Sequence, residues 1–414
     1  MSTPSHTRLT GVWLLIIVLC FTAGLDASAQ GVVVFTNANV IDGVTERVVE
    51  GATVMVRDGQ IESIETGAAA IPDGAEVIDV EGRYLLPGYI DAHMHIASIE
   101  AAKRALASGV TTARSASTGA FQDVALRELV RAGGLAGPEI LAAGTFVTPD
   151  LGNRMLADER LVELHEGVAT EAALRHLVRV NLDRGADVIK SRATERAGLP
   201  DTDPRKQVYT EEQLRIIVEE AAKDGVSVMV HAHGDEGARA AVRAGVRSIE
   251  HGTYLSDETL ALMKAEGTYL VPTYTIVLDL IEPGGEYDNA TLRIRGQHMQ
   301  PNLAEAVRKA HALGVPIAAS TDSGYGSESL ARVGTEMTHF VDLGMTPFEA
   351  LQTATTVAAD LLEVADRTGR IAPGYEADLV VVNDNPLRDI RVVQDVLLVM
   401  SNGRIGMNRL PFGK

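Results

Sequence analysis

Cysteine is almost absent from this chain, because Cys20 is the only one in 414 residues. It lies within an N-terminal stretch typical of an export signal: Arg8 in a short polar start, the apolar run Val12 to Phe21, and small residues up to Ala29 at the cleavage site. Removal of residues 1–29 leaves no thiol, which excludes disulfides and thiolate metal sites. The sequence predicts a periplasmic or secreted protein, and an uncleaved N-terminal anchor is the alternative.

Long hydrophobic runs and an excess of basic residues are also lacking. The run Val12 to Phe21 is too short for a comfortable membrane span, so no stable membrane insertion is expected once the leader is removed. The 37 Lys and Arg against 56 Asp and Glu give a net charge of −19. Such an acidic surface disfavours nucleic acid and anionic membranes as partners.

The two ends of the chain share one character: short runs of β-branched residues separated by turn signals. Asp58-Gly59 and Asn402-Gly403 are dipeptides typical of hairpin turns. We therefore predict one small β-sandwich domain built from residues 30–86 and 369–414.

Between these ends, strand-like runs alternate with helical segments, as expected for α/β architecture. Eight strand and helix units over residues 87–368 predict a (β/α)8 TIM-type barrel. The expected strands comprise the one before His93 and the runs 109–113, 139–142, 186–190, 226–231, 248–251, 268–271 and 317–320. Thr210 to Asp224 has helical spacing with Thr210 as its cap. An open doubly wound sheet is the alternative, but no Gly-x-Gly-x-x-Gly loop follows the first strand.

Metal-ligand residue types recur at the ends of these expected strands. His93 and His95 are two residues apart, so both imidazoles project to the same face of their strand. Similar positions hold an amine, two further imidazoles and a carboxylate: Lys190, His231, His251 and Asp322. Because functional groups of such barrels sit at the carboxyl ends of strands, we expect these side chains to converge at one mouth.

These motifs resemble the amidohydrolase superfamily, in its form with two metal ions bridged by a carboxylated lysine. The similar segments are 86–95, 186–190, 230–234, 249–252, 320–324 and 369–379. The resemblance implies that His93, His95 and Asp322 hold one divalent ion and that His231 and His251 hold the other. It also implies that Lys190 bridges them as a carbamate made with carbon dioxide. Zinc is the expected ion, although manganese, cobalt and iron suit the same ligands.

The same resemblance implies a hydrolytic mechanism. Two metal ions lower the pKa of a bridging water and polarise the scissile carbonyl, while Asp322 accepts the proton and passes it to the leaving nitrogen. His231 and His233 share strand parity, so spacing alone does not identify the ligand. The resemblance favours His231, which leaves His233 to contact substrate or oxyanion, or to orient its neighbours.

Residues 251–273, together with His231-Ala232-His233-Gly234, are similar to the exported dipeptidase and carboxypeptidase branch, including Xaa-Pro dipeptidase-like proteins and ochratoxinase-type amidases. The expected substrate is a small peptide or N-acyl amino acid cleaved at a C-terminal amide bond. Its carboxylate needs a clamp, for which Arg192 and Tyr254 are candidates. The alternatives are a cyclic amide hydrolase similar to imidazolonepropionase and a non-catalytic exported binding protein. The sequence leaves homo-oligomerisation open.

Overall fold

The computed structural model describes residues 31–67, 69–285, 287–326 and 332–410. The predicted leader, residues 1–29 with Cys20, lies outside the described residues. The strands, in chain order, are β1 Val33–Ile41, β2 Val48–Arg57, β3 Gln60–Thr66, β4 Glu76–Asp79, β5 Tyr84–Pro87, β6 Tyr89–Met94, β7 Val110–Ser115, β8 Glu139–Leu141, β9 Ile189–Arg192, β10 Val228–Ala232, β11 Ser248–His251, β12 Tyr269–Val271, β13 Leu379–Val382, β14 Val396–Ser401 and β15 Arg404–Asn408.

The α-helices, in chain order, are α1 Ile99–Ala107, α2 Gln122–Arg131, α3 Glu171–Asp183, α4 Glu211–Ala222, α5 Asp235–Arg243, α6 Asp257–Glu266, α7 Tyr274–Asp279, α8 Ala290–Leu313, α9 Arg332–Asp342, α10 Pro347–Thr353 and α11 Thr356–Leu361. The predicted helix after Thr210 is confirmed as α4, and the Thr210 side chain accepts from the backbone of Gln213 in a capping box. In the described part of the chain, no helix has the length and hydropathy needed to cross a membrane.

Strands from both ends of the chain form one hydrogen-bonded sheet. Its order is β15-β14-β13-β5-β1-β2-β3, with β4 paired to β1 as a branch. The predicted sandwich implied two sheets, whereas all eight strands here belong to a single sheet. Side chains from both ends of the chain, such as Val54 of β2 and Leu398 of β14, belong to one buried hydrophobic cluster. This sheet therefore has a hydrophobic core of its own. Asp58 and Gly59 have φ of 50° and 81°, which confirms the predicted hairpin turn.

The middle of the chain contributes parallel strands in two ladders, β6-β7-β8 and β9-β10-β11-β12. Isolated parallel bridges join the ladder edges, with Val147 opposite Ser191 on one side and Met94 opposite Ser323 on the other. Among the described residues, the continuous ladders do not close into a barrel. Seven of the eight expected strands form, and β6 begins at Tyr89, two residues after β5 of the small sheet ends. The predicted domain boundaries stay a prediction.

The eighth expected strand, residues 317–320, does not form a ladder. Ile317 makes one isolated bridge to Leu270, while Ala319 donates its amide to Thr353 at the end of α10. Ala319 also accepts from Ala92 of β6. The backbone hydrogen bonds of residues 317–320 are thus divided among three neighbouring segments. The preceding Pro316 has no amide hydrogen with which to extend a ladder.

Candidate metal centre

All six predicted metal ligands line one cavity of about 360 Å³. They reach it from the ends of β6, β9, β10 and β11 and from the segment after residue 320: His93, His95, Lys190, His231, His251 and Asp322. Parallel pairing explains part of this convergence, because Met229 lies opposite Lys190 and Ala232 lies opposite His251 in adjacent strands. The convergence expected at a barrel mouth is therefore present.

The imidazoles fall into two overlapping groups with metal-ligand spacing. Ligand atoms of His231, His233 and His251 lie within 4.8 Å of one another, as do those of His93, His251 and Asp322. His95 Nε2 is also 3.1 Å from Asp322 Oδ1. The geometry thus adds His233, predicted to contact substrate, to the His231 and His251 pair, and it places His251 between the two groups.

Each imidazole has one ring nitrogen held by a protein partner, which leaves the other for a ligand or, in His93 and His95, for the Asp322 carboxylate. The partners are Glu250 Oε2 for His93 at 2.6 Å, Ser117 O for His95 at 2.8 Å, Glu195 O for His231 at 3.0 Å, Thr253 Oγ1 for His233 at 2.8 Å and Thr273 Oγ1 for His251 at 2.7 Å. Burial lowers the pKa of His231 and His251 well below 6.5 and that of His233 to about 3. Neutral imidazole is the form that binds metal ions.

A buried charge network supports His93. Glu250 and Arg114 are fully buried, and Arg114 donates to Glu250 Oε1 at 3.0 Å. Ser248 donates to the same oxygen at 2.5 Å, while the other oxygen accepts from His93. Arg114 also donates to Ala92 O at 2.7 Å, which ties the network to β6. Glu250 therefore fixes which nitrogen of His93 faces the cavity.

The backbone that carries the carboxylate is held in an uncommon conformation. Asp322 has φ of 50°, and its amide donates to His93 O at 2.8 Å. Buried Asp91 accepts from the Thr321 hydroxyl at 2.6 Å and from the Tyr325 hydroxyl at 2.9 Å. Non-glycine residues at positive φ persist only where their surroundings enforce it, and here the enforced position sets Asp322 against the imidazoles.

Lys190 is the buried amine of the cavity. Its side chain is 2% exposed, and its Nζ has no hydrogen-bond partner among the described residues. Burial lowers the pKa of Lys190 to about 8. An orphaned, partly neutral amine between imidazoles fits the predicted carbamate, because only the unprotonated amine reacts with carbon dioxide and a carbamate supplies two oxygen ligands.

The predicted carboxylate clamp does not line the cavity. Arg192 and Tyr254 are absent from its described walls, and the Tyr254 hydroxyl lies 3.0 Å from Nδ1 of His298 on α8. Two arginines that sequence reasoning missed line it instead: Arg154 and Arg196. Two sequence features could have indicated them. Arg154 lies after β8 in a long stretch without strand or helix pattern, and Arg196 has the same strand parity as Lys190 but lies beyond the end of β9.

Comparison with known proteins supports the family and the fold. The sequence profile of the amidohydrolase family matches residues 84–406. The chain belongs to the amidohydrolase family. This amidohydrolase is 29% identical to ochratoxinase of Aspergillus niger over 352 residues, which cover 75% of this chain and 72% of that protein. It is 30% identical to imidazolonepropionase of Chromobacterium violaceum over 372 residues, which cover 80% of this chain and 85% of that protein.

A solved structure gives the same result for the fold. The crystal structure of a Xaa-Pro dipeptidase with bound methionine in the active site matches with a TM-score of 0.81 and 28% identity, covering 91% of this chain and 99% of that one. Such neighbours imply a TIM barrel with an additional β domain. They also support hydrolase activity on amide bonds, and the family resemblance seen in the sequence is confirmed.

Proposed function

We propose that this amidohydrolase cleaves a C-terminal peptide bond or an N-acyl amino-acid amide bond, releasing an amino acid with a free carboxylate. The observation that carries the proposal is the convergence of five imidazoles, Asp322 and the orphaned Lys190 amine on one cavity. A binding protein would need neither a buried unpaired amine nor a carboxylate enforced at positive φ.

In this proposal, His93, His95 and Asp322 would hold one divalent ion, His231 and His251 would hold the second, and Lys190, as a carbamate, would supply oxygen ligands. Zinc is the proposed ion, because imidazole-rich sites favour it. When bound, the two ions acidify a water molecule and polarise the substrate carbonyl. The neutral imidazoles and the lowered pKa of Lys190 support this arrangement.

The side chains then divide the remaining work. Asp322 accepts the proton of the attacking water and returns it to the leaving nitrogen, so it acts as base and then as acid. Its Oδ1 lies 3.3 Å from His93 Nε2 and 3.1 Å from His95 Nε2, which supports a fixed position for this carboxylate. His233, with Nδ1 held by Thr253, directs its other ring nitrogen into the cavity to contact substrate.

The substrate class rests on similarity as well as on geometry. Ochratoxinase and the Xaa-Pro dipeptidase are the relatives that support an amide whose leaving group is an amino acid. A cyclic amide is the second candidate, since imidazolonepropionase is 30% identical over 372 residues. Export to the periplasm or exterior is also part of the proposal, and the N-terminal sequence of the secreted protein tests it.

The test incubates the zinc-loaded protein, with bicarbonate, against dipeptides, N-acyl amino acids and cyclic amides. We expect release of free amino acids, abolished in Asp322→Asn. Asp257→Asn is the matched control, because this exposed carboxylate on α6 pairs with Lys309 and does not line the cavity. Ring opening without amino-acid release would assign the cyclic-amide reaction. A silent panel with two ions bound would contradict the proposal.

A further inference from the structure

Two arginines enter the metal cavity from one side. Arg154 lies in the segment after β8, and Arg196 lies in the segment after β9. Apolar side chains enter from α7, which follows β12: Ile276, Val277 and Leu280. Counted along the parallel strands from β6, β8 and β9 are third and fourth while β12 is seventh, so the two groups flank the imidazoles from different parts of the mouth. The cavity therefore has a cationic part and an apolar part.

Neither arginine is neutralised by the protein. Within the described part of the chain, neither guanidinium forms an ion pair, and the buried Nε of Arg154 has no hydrogen-bond partner. Several other arginines of this acidic protein are paired, since Arg160 contacts Asp158 and Asp183 and Arg175 contacts three glutamates. Burial and the charge of Arg196 lower the pKa of Arg154. The partly buried guanidinium of Arg154, with the exposed guanidinium of Arg196 near enough to repel it, favours a bound anion.

The segment that carries Arg196 is held in place. Arg295 of α8 donates to the carbonyl oxygens of Leu199 at 2.6 Å and Pro200 at 3.2 Å, and also to those of Ala197 and Thr202. Four carbonyls on one guanidinium fix the backbone beside residue 196. The Arg196 side chain is thus presented from a rigid base, as a specificity contact requires.

We propose that Arg154 and Arg196 bind the carboxylate of the leaving amino acid, while the α7 side chains receive apolar substrate groups. Guanidinium is suited to this task, because its fork donates two parallel hydrogen bonds to a carboxylate. The assignment rests on the proposed function and replaces Arg192 as the clamp, since Arg192 does not line the cavity. The substrate class is accordingly a peptide or N-acyl amino acid with a free terminal carboxylate and an apolar substituent.

The experiment compares the best substrate of the panel with its C-terminal carboxamide, using the zinc-loaded protein. We expect wild type to prefer the acid, and Arg154→Met and Arg196→Met each to reduce that preference about 10- to 100-fold, through the KM of the acid. Hydrolysis of the carboxamide, which carries no charge for the guanidinium to bind, falls much less than hydrolysis of the acid. Arg154→Lys keeps the charge without the fork and gives an intermediate preference. Arg205→Met is the matched control, because Arg205 is exposed on the same segment and pairs with Asp203 at 3.1 Å.

Equal hydrolysis of acid and carboxamide by wild type, or an unchanged preference in both methionine variants, would overturn the proposal and leave the amide hydrolase intact. If no compound is hydrolysed, calorimetry with free L-leucine and L-leucinamide decides the assignment separately. Tighter binding of L-leucine that is lost in Arg154→Met supports the carboxylate site even where the proposed function fails. Equal binding of the two compounds to wild type overturns it.

Discussion

Glu250 is expected to control metal affinity through His93. In Glu250→Gln the amide keeps the shape of the side chain but removes the charge that Arg114 faces at 3.0 Å. Since both partners are buried, the unpaired guanidinium should cost about 3–5 kcal/mol of unfolding free energy. Loss of the negative charge 2.6 Å from His93 Nδ1 should also weaken metal binding about 10- to 100-fold, as loss of such support does elsewhere.

A second substitution separates these two effects. Replacing both members of a buried ion pair is far less costly than removing one, so Arg114→Met with Glu250→Gln should regain much of the lost stability. Metal affinity should remain weak, because His93 still lacks its carboxylate. Urea unfolding of the metal-free proteins measures the first quantity, and competition with a chromophoric chelator measures the second.

Glu220→Gln is the matched control for this series. Glu220 is 8% exposed and is paired with Arg175 and Lys223, but it lies on α4 outside the cavity walls. Its substitution should change stability and leave metal affinity as in wild type. Wild-type metal affinity in Glu250→Gln, or recovery of metal affinity together with stability in the double variant, would refute the role assigned to Glu250.

Three further outcomes are expected. His233→Asn should retain about two metal ions per chain by elemental analysis while kcat/KM falls, whereas loss of about one ion would make His233 a ligand. In ¹³C-bicarbonate, wild type should give a carbamate NMR signal. Lys190→Met should lack this signal and should also lose its bound metal. A signal that persists in the variant would exclude Lys190 as its source. Burial raises the pKa of Asp378 to about 7, and its carboxylate accepts from Thr368 and Asn402. The folded state therefore holds a proton that the unfolded chain releases near pH 4, so stability should fall between about pH 4 and 7, by up to about 4 kcal/mol. Asp378→Asn should lack that fall in urea titrations, and identical pH profiles would contradict it.

The convergence of the candidate ligands on one cavity was predictable, because strand-end histidines and the alternation of side chains are local properties of the sequence. His93 and His95 share a face within β6 and its first following residue, and the Asp58-Gly59 turn depends only on its own backbone. Which arginines line the cavity was not predictable in the same way. Parity places Arg192 with Lys190, but β9 ends at Arg192, and beyond it the path of the segment decides which side chain enters the cavity.

The supporting network and the eighth strand depend on contacts between distant parts of the chain. Arg114 and Glu250 are 136 residues apart, so neither sequence neighbourhood reveals the pair. Residues 317–320 have the apolar pattern of a strand, yet their backbone bonds go to three different neighbours. Periodicity reports burial of such a segment and does not report which partners share its hydrogen bonds.

The small sheet has a consequence for the order in which the protein folds. β5 pairs with β13, and Arg83 and Asn383 at that junction are 300 residues apart in the chain. The ladder between them forms only after nearly the whole polypeptide has been synthesised, and contacts of such long range slow folding. Until then β5 is an unpaired edge, which attracts other strands. Truncation before residue 379 would leave that edge permanently open.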